Sequence, residues 1–125
     1  MSLNGTDHIK IQLGTSGGIE TSGYLSNSHD FGGSSSSIDG IEHYDSFALP
    51  IGGAGYTVTG NIILCLEDAT NYTWIASGNG GTSSGPNAWL CNGYLNNLHG
   101  VLTQIKILPS GSNSFDAGAV NISYM

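Results

Sequence analysis

Basic residues are nearly missing: two Lys or Arg stand against nine Asp or Glu, for a formal net charge of −7. Phosphate backbones are held by clustered cations, so nucleic acid is excluded as an expected partner. Charge of either sign is scarce, at 9% of residues, where an ordinary soluble domain carries about a quarter. The surface is therefore expected to be neutral and built from Gly, Ser, Thr and Asn. No apolar run approaches the roughly twenty residues that a membrane helix needs, and "NIILCL" is far too short, so membrane insertion is not expected. The opening "MSLNGTDHIK" lacks the basic and then apolar stretches of a secretory leader.

Cysteine is also sparse. Cys65 in "ILCLED" and Cys91 in "WLCNGY" have neither metal-site nor redox spacing, so buried thiols are expected. A disulfide between them stays open, because sequence does not place two strands side by side. Helical periodicity is almost absent, and the 20 glycines disfavour any long helix.

What remains is strand signal. "HIKIQL" alternates Ile9, Ile11 and Leu13 with Lys10 and Gln12, as a strand with one buried face does. "IETSGYL" is a weaker strand with a glycine break, and "SNSHDFGGSSSSIDG" is so rich in Ser and Gly that it reads as a loop. "HYDSFALPI" reads as a short strand ended by Pro50. In "GYTVTGNIILCLEDATNYTWIAS", Tyr56, Val58, Ile62, Leu64 and Leu66 share one face and Thr57, Thr59, Asn61, Ile63 and Cys65 the other. The second face turns apolar halfway along, which predicts a strand buried on both sides at its far end. "EDATN" supplies turn chemistry, and "YTWIAS" returns with Tyr72, Trp74 and Ala76 pointing one way. "GNGGTSSGPN" reads as a loop, "AWLCNGYL" and "VLTQIKIL" as two further strands, and "AVNISYM" as a closing strand that runs flush to Met125.

Seven or eight short strands at regular spacing predict one all-β domain over residues 1–125: an antiparallel β-sandwich, jelly-roll-like, with long Gly/Ser loops. Termini are loose unless a sheet or partner holds them, so a strand at the last residue predicts a place inside a larger sheet or assembly.

Three segments carry a resemblance. "IQLGTSGGIETSGYLSNS" contains a strand leading into a "GxSGGxETxGY" turn, Gly60 to Gly78 forms a "GxxxLxLxxxxxxxWxASG" hairpin, and the end matches "(I/L)xxIxxxxxxxxxFDAGxxNIxY". Together they resemble the C-terminal domains of tailed-bacteriophage and prophage virion proteins, over most of the chain from about Ile9 to Tyr124. The resemblance implies a structural or receptor-facing domain of the tail or its fibres, located in the virion and assembled in the bacterial host cytoplasm. It implies a homo-oligomer, with a trimer favoured, and contact with other virion proteins. Further strands usually precede the one matching "HIKIQL" in that pattern, so a sheet edge covered by another copy is expected here.

Because phage tailspikes are often glycosidases, the candidates for a catalytic carboxylate pair are Glu20, Asp30, Asp39, Glu42, Asp45, Glu67, Asp68 and Asp116. Adjacent Glu67 and Asp68 read as solvated turn acids, and Asp116 as an acceptor of backbone hydrogen bonds. The concentration of His29, Asp30, Asp39, Glu42, His43 and Asp45 fits no metal-ligand template. "GTSGG" lacks the helix of a nucleophile elbow. No catalytic residue, metal or cofactor is therefore assigned. Trp74 and Trp89 alternate with apolar neighbours and are expected in the core, whereas Tyr24, Phe31 and Tyr44 are the candidates for a glycan-stacking surface. The expected function is a non-enzymatic virion structural domain; the alternative is a carbohydrate-binding module for a host surface polysaccharide.

Overall fold

The computed structural model describes residues 1–32, 38–50, 53–83 and 85–125, with the side chains of residues 38 and 39 left aside. Eleven strands are found among the described residues, and every pairing is antiparallel. They are β1 (Ser2–Leu3), β2 (Ile9–Thr15), β3 (Gly18–Ile19), β4 (Tyr24–Phe31), β5 (Ile38–His43), β6 (Phe47–Leu49), β7 (Val58–Asp68), β8 (Thr73–Thr82), β9 (Asn87–Leu95), β10 (Gln104–Pro109) and β11 (Phe115–Ala117).

Five of them form one sheet in the order β5-β4-β9-β8-β7. A second sheet is centred on β2, with β10 along one edge and β3 and β6 along the other, and β1 pairs with β11 and bridges the start of β7 through Ser2 and Thr57. The two larger sheets pack together, with β6 lying across β4 and β9. Between them Trp89, Tyr24, Phe47, Leu13, Ile9, Leu95 and Leu98 are buried. The fold is thus an all-β, sandwich-like pair of antiparallel sheets.

The β7–β8 hairpin falls where alternation predicts it, and Pro50 follows β6 directly. Four expectations are corrected. The polar stretch from residue 26 is not a loop: residues 24–31 and 38–43 pair as strands. Small hydroxyls occupy its inward positions, where Ser26 Oγ donates to Ser46 O at 2.7 Å and Ser28 Oγ meets His43 Nε2 at 3.2 Å. Those bonds remove the cost of burying polar groups and leave the strand without an apolar signature. The Ser-rich residues 33–37, and Ile51 at the end of the "HYDSFALPI" strand, lie outside the described residues.

Second, β8 continues through the glycines to Thr82, because a strand of glycines is what the Trp89 side chain requires. The indole lies against Gly60 and Gly80, where an added Cβ would come within 2.6 and 2.7 Å of the ring, and its Nε1 donates to Thr59 O at 3.1 Å. Third, β7 is not buried on both sides: Ile63 is 61% exposed, since no layer covers the outer face of the five-stranded sheet among the described residues. Fourth, the closing strand stops at Ala117, and residues 118–125 are exposed without a ladder.

Candidate binding surface

The uncovered face of the five-stranded sheet is assembled by register. Residues directly opposite each other on neighbouring strands point to the same side. One row across the sheet is Leu25, Tyr94, Ile75 and Cys65, all exposed. The next row is Glu42, Asn27, Asn92, Ser77 and Ile63. Ser77 Oγ donates to Asn92 Oδ1 at 3.2 Å within it. A third row holds Gly40, His29, Leu90, Asn79 and Asn61. An apolar and aromatic stripe therefore runs beside two stripes rich in amides.

Shallow depressions lie toward both sides of this face. Leu25, Ser26, Asn27, Glu42 and Tyr44 line one, and Glu67, Thr73, Ile75, Gly93 and Tyr94 line the other. The Tyr44 hydroxyl donates to Glu42 Oε2, and that neighbouring negative charge raises the phenol's pKa. Glu42 and Glu67 sit on opposite edge strands of a five-stranded sheet. Four inter-strand steps at about 4.8 Å put them near 19 Å apart, about twice the widest carboxylate separation used in glycoside hydrolysis.

The structure separates the three candidate aromatics. Tyr24 is 1% exposed, edge-on to Phe47 with ring centroids 5.1 Å apart, and is therefore a core residue and not part of a surface. Phe31 is half-buried and tilted against His29, at the end of β4 away from Leu25. Tyr44 is 60% exposed and remains on the candidate face. Tyr94, exposed at the centre of the apolar row, is not among the three candidates selected from the sequence. The alternation in "AWLCNGYL" separates Trp89, Cys91 and Leu95 from Leu90, Asn92 and Tyr94, and that signal could have selected it.

The candidate acids and histidines are dispersed. Glu20 Oε1 accepts the backbone N–H groups of Thr21 and Ser22, both at 3.1 Å, and Oε2 lies 3.2 Å from His99 Nδ1. Burial opposes ionisation of Glu20, but the bond from the Ser22 hydroxyl at 3.0 Å, together with these, outweighs it and lowers its pKa. Asp68 Oδ1 caps the β7–β8 turn by accepting from Thr70 N at 2.7 Å, which lowers its pKa. Asp116 accepts from the Ser2 hydroxyl. Asp30 Oδ1 is buried without a hydrogen-bond partner, and the Asp39 side chain lies outside the described residues. Among the described residues no three His, Cys, Asp or Glu converge as a metal site.

Sequence reasoning also missed a buried pair. Ser28 and His43 have the distance of a nucleophile and its base, but Ser28 is 1% exposed. Burial lowers the His43 pKa, and the nearby His8 and Lys10 lower it further against Asp45. The pair is a core hydrogen bond between sheet neighbours.

Fold and face together define an all-β, sandwich-like protein with an open, nearly uncharged sheet surface. No family model, curated protein or solved structure matches the chain.

Proposed function

We propose that the chain is a non-enzymatic structural domain of a bacteriophage or prophage virion, of tail or tail-fibre type. It is built in the bacterial host, self-associates and docks to other virion proteins, with a jelly-roll-like connectivity. The observation that carries this reading is the work done by residues of the first two patterned segments. In the first, the Tyr24 hydroxyl joins Leu13 N and Glu20 O across the turn; in the second, Gly60 makes room for Trp89. Residues that pattern a framework and not a cleft support a building block. An antibody against this chain should label particles released from its native host, on the tail by immunogold. Particles free of the chain after gradient purification would sink the proposal.

A second reading rests on the outer sheet face. Exposed Tyr94 and Tyr44 beside Asn27, Asn92 and Ser77 supply ring faces for sugar C–H groups and amides for hydroxyls. On that reading the domain recognises a host surface polysaccharide. Binding on an array of bacterial glycans, lost in Tyr94→Ala and kept in Phe31→Ala, would support it; silence across the array would discard it.

A further inference from the structure

The two depressions on the outer sheet face share a composition. Each holds one tyrosine and one carboxylate: Tyr44 with Glu42, and Tyr94 with Glu67. All four side chains are exposed, and the Tyr44 hydroxyl donates to Glu42 Oε2 at 2.5 Å. The depressions also adjoin, because Leu25 in the first lies directly opposite Tyr94 in the second, and Tyr94 lies opposite Ile75. Two inter-strand steps of about 4.8 Å make this apolar floor about 10 Å wide. An occupant laid across the strands therefore meets a ring and a carboxylate in each depression, with Asn27, Asn92 and Ser77 in the row beside it.

The charges that line the depressions have one sign. Of the two lysines in the chain, Lys10 lies on β2 and pairs with Asp45 at 2.6 Å, and Lys106 lies on β10, both in the other sheet. The imidazole of His29 lies against Gly40 and Phe31, in the third row and away from both depressions. A carboxylate beside a ring attracts a cation in two ways, through its charge and through the ring quadrupole. An anionic polymer would instead meet two Glu side chains with no lysine beside them, a like-charge juxtaposition that disfavours the wrong partner.

We propose that this face takes a polysaccharide whose sugars carry free, protonated amines, the chemistry of a de-N-acetylated hexosamine polymer. The inference rests on the polysaccharide reading of the face and adds the charge of the sugar to it. An ammonium group in each depression is held by Glu42 or Glu67 and lies against the ring of Tyr44 or Tyr94. The apolar floor receives the C–H faces of the sugars, and Asn27, Asn92 and Ser77 bond their hydroxyls. A cationic peptide fits less well. Extended peptides bind by adding to a sheet edge, whereas β4, β9 and β8 are paired on both sides and offer side chains only.

Calorimetric titration of the full chain with a glucosamine hexamer and with its N-acetylated counterpart separates charge from shape, since the two share one sugar backbone. The glucosamine hexamer should bind at least about fivefold more tightly, and the difference should shrink as salt is raised. Glu42→Gln and Glu67→Gln should each weaken the amine form about fivefold, the upper end for an exposed ion pair, and leave the acetylated form unchanged. Both residues are exposed, so circular dichroism should match the wild-type chain. Equal affinity for the two hexamers, a preference for acidic polygalacturonate, indifference to both Glu variants, or equally tight binding of tetralysine overturns the proposal. Neutral glycans bound on the array and lost in Tyr94→Ala, with no preference for the amine, would overturn it and leave the polysaccharide reading standing. Silence across the array and both hexamers would remove the two together.

Discussion

The Tyr24 hydroxyl accepts the Leu13 backbone N–H at 2.8 Å and donates to Glu20 O at 3.2 Å, joining β2 to the segment that leads into β4. Burial, only partly offset by the bond from Leu13, pushes the phenol up to about 12, so it stays protonated at any pH at which the protein works. Removing the oxygen leaves Leu13 N–H buried and unpaired. Tyr24→Phe should therefore cost about 1–3 kcal/mol, read as a lower urea midpoint with an unchanged slope. An unshifted midpoint would show that the bond is dispensable.

The strand glycines make a second, sharper expectation. A Cβ on Gly80 would lie 1.9 Å from Thr59 O and 2.7 Å from Trp89 Cε2, so either β7 or the indole must move. Gly80→Ala should cost at least the about 1–3 kcal/mol typical of core overpacking, with a changed tryptophan fluorescence maximum. Gly81→Ala is the control, because its nearest neighbour, Asn87 O, is 3.3 Å away. Equal losses in the two variants would contradict the packing described for Trp89.

Alternation made β2, β7, β8, β9 and β10 legible, because each has apolar residues on one face and a two-residue period survives in the sequence. β4 was not legible for the opposite reason. Its inward Ser26 and Ser28 are buried through bonds to Ser46 O and His43, partners that sequence does not bring together. The candidate face was half legible: alternation assigns Tyr94 a side, but only the sheet order shows that this side is uncovered. The C-terminal alternation was read as a strand, yet residues 118–125 have no ladder, because alternation marks a face to bury and supplies no neighbouring strand to pair with.

The two thiols should differ in reactivity. Cys91 is fully buried on the inner face of β9, where burial pushes it up to about 11, while Cys65 is exposed on the outer face of β7. β8 separates their strands and the faces are opposite, so the disulfide left open by the sequence is excluded in this fold. A thiol reagent at pH 8 should titrate one fast equivalent per native chain and two after denaturation. Cys65→Ser should abolish the fast phase; a fast phase retained in that variant would mean that Cys91 is accessible.

Acid should weaken the fold in two stages. His8 and His43 meet edge-on with ring centroids 5.9 Å apart, flanked by Asp7, Lys10, Ser28 and Asp45. Burial is the main cause that lowers both pKa values; Lys10 adds to it at both rings, and the neighbouring aspartates only partly oppose it. The folded state then binds these protons less readily than the unfolded chain, so stability is fully present above about pH 6.5 and declines as the pH falls through the lowered folded values. Asp45 follows at lower pH. Burial raises its pKa, but the 2.6 Å ion pair with Lys10 and the Ser46 hydroxyl prevail, so its contribution is present above 3.8 and is lost below that as the carboxylate protonates. The urea midpoint should thus be lower at pH 5 than at pH 7.5. His43→Gln keeps a hydrogen-bonding group for Ser28 but does not titrate, so it should remove a large part of that difference. Identical midpoints for the wild-type chain at the two pH values would show that neither buried ring is held neutral by the fold.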